Sequence, residues 1–95
     1  MRKRDAMRLP PETVEELTHR LRKIGGQLRG IEAMLAEQRD CRDVATQVSA
    51  ANKAIEQVGF LLIAAGFRWC IEHPAESAAD GYSLDDVQNL FLKLA

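Results

Sequence analysis

Apolar side chains recur at Val14, Leu17, Leu21, Ile24, Leu28, Ile31 and Leu35, with spacings that alternate between three and four. That alternation is the stripe of a helix with a heptad repeat. It predicts a first helix over residues 11–37, opened by Pro10-Pro11, since proline is tolerated in a first helical turn. Gly25, Gly26 and Gly30 interrupt the stripe's neighbours. Each costs about 1 kcal/mol against alanine in a helix, which predicts either close approach of another element or a kink. The pattern lapses at Gln38-Arg39-Asp40 and resumes at Val44, Val48, Ala51, Ile55, Val58, Leu62, Ala65 and Trp69. Asp40 is a good N-cap for a second helix over 41–72, Asp43 adds a carboxylate to its first turn, and Pro74 forces its end. Residues 73–82 read as a loop ending in Gly81. Ser83 then caps a short third helix carrying Leu84, Val87, Leu90, Phe91 and Leu94, with Asp86 at the capping-box position. No strand pattern occurs. The expectation is an all-α, three-helix protomer: a basic arm over 1–10 and one domain over 11–95.

The second helix, at about 30 residues, would be about 45 Å long. A compact domain of this size has a radius of gyration near 13 Å. One long partner and a short third helix cannot cover such a seam. Two protomers can, as an antiparallel four-helix-bundle dimer. Phe60, Leu61 and Ile63 lie off the main stripe and predict a second interface, hence a dimer-of-dimers tetramer, unless they cover the third helix.

At 95 residues with 5% aromatic content, the chain is one small domain. Its net charge of −1 argues against nucleic acid until it is divided. Residues 1–30 hold eight basic and four acidic residues, net +4, and residues 31–95 hold five basic and ten acidic, net −5. Arg20, Arg22, Lys23 and Arg29 fall outside the apolar seam of the first helix, with Arg22 and Arg29 seven apart on one face. Lys53 extends the basic set onto the second helix, and Arg2, Lys3, Arg4 and Arg8 lie in the arm. Such a patch, multiplied by assembly, suits phosphate contacts. No run reaches the roughly 18 apolar residues of a membrane span, and no secretory pattern opens the chain. A cytoplasmic protein with reduced cysteines is expected.

Cys41 and Cys70 stand at opposite ends of the second helix. Within one chain they would be about 43 Å apart, too far for a shared site. If two copies of that helix pack antiparallel about a two-fold near Ile55–Glu56, Cys41 of one copy meets Cys70 of the other, twice. Cys41 lies in a first helical turn between Arg39 and Arg42, which favours the thiolate, while Asp40 and Asp43 oppose it. The competing reading is two unrelated small buried hydrophobes.

The run Arg20-Leu21-x2-Ile24-x-Gly26-Gln27-x2-Gly30-Ile31, followed by Cys41-x2-Val44-x2-Gln47-Val48-Ser49-Ala50, resembles the CsoR/RcnR family of small helical repressors. The resemblance covers about residues 13–94. It implies an all-α protomer, dimers that pair into tetramers, and binding to operator double-stranded DNA that ends when an effector reaches the interprotomer cysteines. Arg20 and Lys23 match positions that carry basic residues in that family. The copper branch has a histidine four residues before the second cysteine; here that position is Gly66. The nickel/cobalt branch requires histidines at Gly66 and Cys70 and another in the N-terminal arm, and the formaldehyde branch a histidine at Gly66 and an N-terminal proline; none is present. The remaining two-cysteine site resembles the CstR branch, which implies persulfides and polysulfides as effectors, no enzyme activity and no resident cofactor. The alternative is a Cu(I)-responsive repressor using Cys41, Cys70 and His73, although His73 reads as a solvated residue at a helix end. A thiol enzyme or sulfur carrier is the third reading, disfavoured because no C-x-x-C and no evident general base accompanies either cysteine. With no obvious base-reading element, DNA shape is the expected source of specificity.

Overall fold

The computed structural model describes residues 8–79 and 84–94. Among them are four helices, α1 (Pro11–Ala36), α2 (Cys41–Glu72), α3 (Pro74–Ala79) and α4 (Leu84–Leu94), and no strand. The all-α expectation holds, with four helices in place of three. Pro74, read only as a terminator, also opens α3, because a first helical turn needs no N–H from its first residue. Residues 1–7 of the expected arm, and Gly81 and Ser83 of the expected loop and cap, lie outside the described residues.

α1 starts where the double proline predicts. Pro10 is its N-cap, and its carbonyl accepts from the N–H groups of Thr13 and Val14 at 3.0 Å. The helix runs without interruption past Gly25, Gly26 and Gly30. No other element approaches them: a Cβ on Gly25 would first meet its own helix's Arg29 at 3.5 Å, and one on Gly30 would meet nothing within 4 Å. At its end, Gln38 N–H reaches the Leu35 carbonyl at 3.1 Å and Arg39 N–H reaches Met34 at 3.0 Å, the paired bonds of a Schellman cap. That cap sets Gln38 at φ 56°, left-handed backbone that favours glycine. Gln38→Gly is therefore expected to stabilise the fold by about 0.5 kcal/mol, relief of the left-handed strain outweighing glycine's unfolded-state entropy. A urea melt with an unchanged slope and a higher midpoint would show it.

The short turn returns α2 antiparallel along α1, and the packing divides each heptad stripe in two. On α1, Leu17 and Ile24 are buried, while Val14, Leu21, Leu28 and Leu35 are 47–61% exposed. On α2, Ala51 and Ala65 are buried and Val44 and Val58 half-buried, whereas Val48, Ile55 and Leu62 are 41–49% exposed. Each helix thus uses one of its two heptad positions inside the protomer and leaves the other as an open apolar ridge. The radius of gyration is 17.5 Å and the longest extent 54 Å, well beyond a compact domain of this size.

A second cluster joins α2 to α4. Ile63, Cys70 and Val87 are buried together, with Phe67, Trp69 and Phe91 packed around them. The Phe60 and Phe91 rings lie 5.4 Å apart, and Leu94 seats against Gly59. Phe60 and Ile63 therefore pack on α4, the alternative the sequence left open, because the amphipathic α4 needs an apolar platform; Phe60 still remains 43% exposed. One further expectation changes. By length and composition alone α2 is apolar enough to cross a membrane, with a window of mean hydropathy 1.4. The expectation that no segment reaches that threshold counted only uninterrupted apolar runs and so passed over it.

Candidate functional site

Both cysteines occupy one flank of α2, beside the open ridge of Val48, Ile55 and Leu62, since 29 positions at about 100° each return close to the starting direction. They end in different surroundings. Cys41 is exposed, at the edge of an open groove with Leu35, Val44 and Val48. Cys70 is 5% exposed beneath α4, against Val87 at 2%. Within one chain the helix holds the two thiols apart, as expected.

The first turn of α2 is built by Asp40. Its carboxylate accepts from the Arg42 backbone N–H at 2.7 Å, and the Arg42 guanidinium closes on it at 3.3 Å. The Arg42 side chain first, and its backbone N–H second, hold the Asp40 carboxyl below the usual carboxylate range. Arg39 lies 3.9 Å from both Glu37 and Asp43. Both arginines flanking Cys41 are thus turned to carboxylates. The cationic setting expected around this thiol is therefore largely cancelled by the neighbouring carboxylates.

His73 is not the free solvated residue expected at a helix end. It is half-buried, stacked on Trp69 at 5.3 Å, and its Nδ1 lies 3.2 Å from the Trp69 carbonyl, which also accepts the His73 backbone N–H at 2.8 Å. A carbonyl can only accept, so Nδ1 carries the proton and Nε2 is left as the available nitrogen. Gly66, at the position of the absent histidine, is buried. Among the described residues no three His, Cys, Asp or Glu side chains of one chain gather as a metal site.

The five basic residues singled out in the sequence divide into separate places. Arg20 and Lys23 line a notch between α1 and α2 with Gln27 and Gln57. Arg22 shares a groove with Glu12, Glu15, Glu16 and His19. Arg29 lies back over Gly25 and Gly26, and Lys53 stands beside Thr46, Ser49 and Ala50 on α2. Arg20 is also occupied. Its Nε and Nη2 both donate to Glu16 Oε2 at 3.3 Å, and its Nη1 to Gln57 Oε1 at 3.4 Å. Sequence reasoning missed Glu16 and Gln57. The i,i+4 spacing of Glu16 and Arg20 was a readable signal, whereas Gln57 required the packing of α2 on α1.

An elongated all-α hairpin with a short C-terminal helix, open apolar ridges and a cysteine at each end of its longest helix defines a class of small helical regulators. The chain belongs to the metal-sensitive transcriptional repressor family, whose description matches residues 13–93. It is 29% identical over 79 residues to the copper-sensing transcriptional repressor CsoR of Bacillus subtilis, covering 83% of this chain and 78% of that one. It is 36% identical over 62 residues to the copper-sensing transcriptional repressor RicR of Mycobacterium tuberculosis, covering 65% of each. The crystal structure of the copper-sensing repressor CsoR with Cu(I) from Geobacillus thermodenitrificans superposes with a TM-score of 0.78 at 27% identity, over 93% of this chain and 92% of that one. The nickel-responsive regulator InrS, at 24% identity and a TM-score of 0.64, shares the fold over 99% of this chain and 93% of its own.

Proposed function

We propose that this chain is a cytoplasmic, DNA-binding repressor that works as an assembly of identical copies. It releases its operator when persulfides or polysulfides react with Cys41 of one copy and Cys70 of another, as in the CstR branch. The observation that carries the reading is the placement of both cysteines on one flank of α2, beside an apolar ridge that the protomer leaves open and a second copy of the same ridge would cover. Packing that ridge antiparallel against itself sets Cys41 of one copy beside the Cys70 end of the other, without metal or histidine. Gly66 removes the imidazole that a three-ligand Cu(I) site would use, and the His73 ring is held by Trp69. A tetramer draws support from apolar residues that α4 leaves uncovered, Leu92 at 61% and Ile71 at 69% exposed. In this reading the protein has no catalytic step, no resident cofactor and no membrane partner. Its DNA contacts come from Arg20, Arg22, Lys23, Arg29 and Lys53.

A Cu(I)-responsive repressor is the second reading, favoured by the copper-sensing names of the relatives. Two thiolates hold Cu(I) linearly, and His73 Nε2 is the third candidate ligand. The test uses a duplex selected from a random pool by the wild-type protein, with release followed by fluorescence anisotropy. A persulfide should release the duplex and Cu(I) should not. Release by Cu(I) alone assigns the second reading, and release by neither removes both.

A further inference from the structure

We propose that the notch between α1 and α2 seats one phosphate of the DNA backbone, and that Glu16 is the built-in competitor for that seat. The inference rests on the DNA-binding reading and adds to it a location and an internal antagonist. The notch is about 410 Å³, with Arg20, Lys23 and Gln27 from α1, Gln57 from α2, and Ile24 and Ala54 beneath them. Two cations and two carboxamides line it, and no carboxylate does. Gln57 already spends its amide oxygen on Arg20 Nη1, so the nitrogen it has left can only donate. The lining therefore offers an excess of donors over acceptors, and the guanidinium fork matches a phosphate's oxygens. The buried Ile24 under this set removes water from one side and lessens screening.

At rest, Glu16 occupies two of Arg20's donors through a single carboxylate oxygen. Both side chains of that pair are substantially exposed, at 39% and 54%, so the pair is weak and a backbone phosphate can replace the carboxylate. The contrast with Arg22 is chemical. Its groove holds Glu12 and Glu15 besides Glu16, so a phosphate at Arg22 meets more carboxylates than one at Arg20 and binds there more weakly. Because Gln57 belongs to α2, which carries both cysteines, the seat is complete only while α2 keeps its register on α1.

The experiment uses full-length protein and a 40-base-pair duplex recovered from a random pool by the wild type, with anisotropy titrations across a series of KCl concentrations. Glu16→Gln should tighten binding by about two-fold or more for each seat in contact, the worth of a helical i,i+4 pair. Gln57→Glu should weaken it by about ten-fold or more and lower the salt slope by about one for each seat. Arg20→Gln should cost more affinity than Arg22→Gln. If Gln57→Glu loses its helical circular dichroism, Gln27→Glu places the same charge in the notch from α1. Weaker or unchanged binding by Glu16→Gln, or an unmoved salt slope with a carboxylate in the notch, overturns the seat while wild-type binding stands. Failure of the wild type to recover any duplex removes the DNA reading itself, and the seat with it.

Discussion

Ile55→Asp is expected to abolish assembly and leave a largely unfolded chain. In the single protomer this position is 49% exposed, and a surface substitution of that kind ordinarily changes stability by about 0.5 kcal/mol or less. The proposed dimer makes it central. An antiparallel pair of α2 helices related by a two-fold near residue 55 brings each Ile55 to the middle of the ridge, so one substitution places two carboxylates in one apolar contact. Each copy loses about 1.5 kcal/mol or more of apolar burial, and like charges removed from water add several kcal/mol more. The protomer has little to spare, because its core is two thin clusters along an elongated hairpin. The measurement is light scattering with size-exclusion chromatography, together with thermal melts at two protein concentrations, since the wild-type midpoint should rise with concentration. Ala50→Asp, on the opposite exposed face of α2, serves as the control and should behave as wild type. Wild-type mass and midpoint for Ile55→Asp would remove the interface from this ridge.

The limits of α1 and α2 were legible because the alternation of three and four runs unbroken and because Pro11 and Asp40 mark their starts. α3 was not, since Pro74 can end one helix and begin the next. Which member of each heptad pair turns inward was also hidden. Periodicity defines the stripe, but the way α1 crosses α2 decides that Leu17 and Ile24 are buried while Leu21 and Leu28 are left outside. Gly25, Gly26 and Gly30 read as a close approach or a kink, yet α1 runs through them as one helix and no other element comes within 4 Å of where their Cβ atoms would be.

The same division applies to the candidate site. The position of each cysteine follows from helix rise alone, but their surroundings do not. Arg39 and Arg42 read as activators of Cys41 because they are its near neighbours in sequence. In the folded turn they answer to Glu37, Asp40 and Asp43, and the Asp40 side chain is itself fixed by its cap bond from the Arg42 N–H. Burial of Cys70 depends on α4, which arrives from another part of the chain. Likewise helical angle alone puts Arg20 and Lys23 on a different side of α1 from Arg22 and Arg29, but that the first pair faces Gln57 of α2 depends on the packing of the two helices.

Treatment with a persulfide should convert the wild-type protein to a species of twice the chain mass on a denaturing gel without reductant, and either Cys41→Ser or Cys70→Ser should prevent it. Distance alone decides this. α2 is continuous from Cys41 to Glu72, so its two cysteines sit about 43 Å apart along the axis, whereas a disulfide needs Cα atoms within about 7 Å. Any bond between them must therefore join two chains. The exposed Cys41 thiolate attacks the outer sulfur of the persulfide R–S–SH, forming a protein persulfide and releasing the thiolate R–S⁻. The Cys70 thiolate of a second copy then attacks the Cys41 sulfur, forming the disulfide and expelling hydrosulfide. Two protein thiols are oxidised, the small persulfide is reduced to its thiol and hydrogen sulfide, and no metal enters. The second step is the slower one, because Cys70 lies 5% exposed beneath Val87 and α4 must shift to admit the attack. Val87→Ala should therefore speed the appearance of the double-mass band while leaving the initial loss of free Cys41 thiol unchanged. Copper gives the opposite pattern: Cu(I) bound by the same thiolates leaves single-mass chains that regain both free thiols when a chelator removes the metal. Single-mass chains after persulfide treatment, with each cysteine separately capped, would show that the two thiols do not meet across the interface.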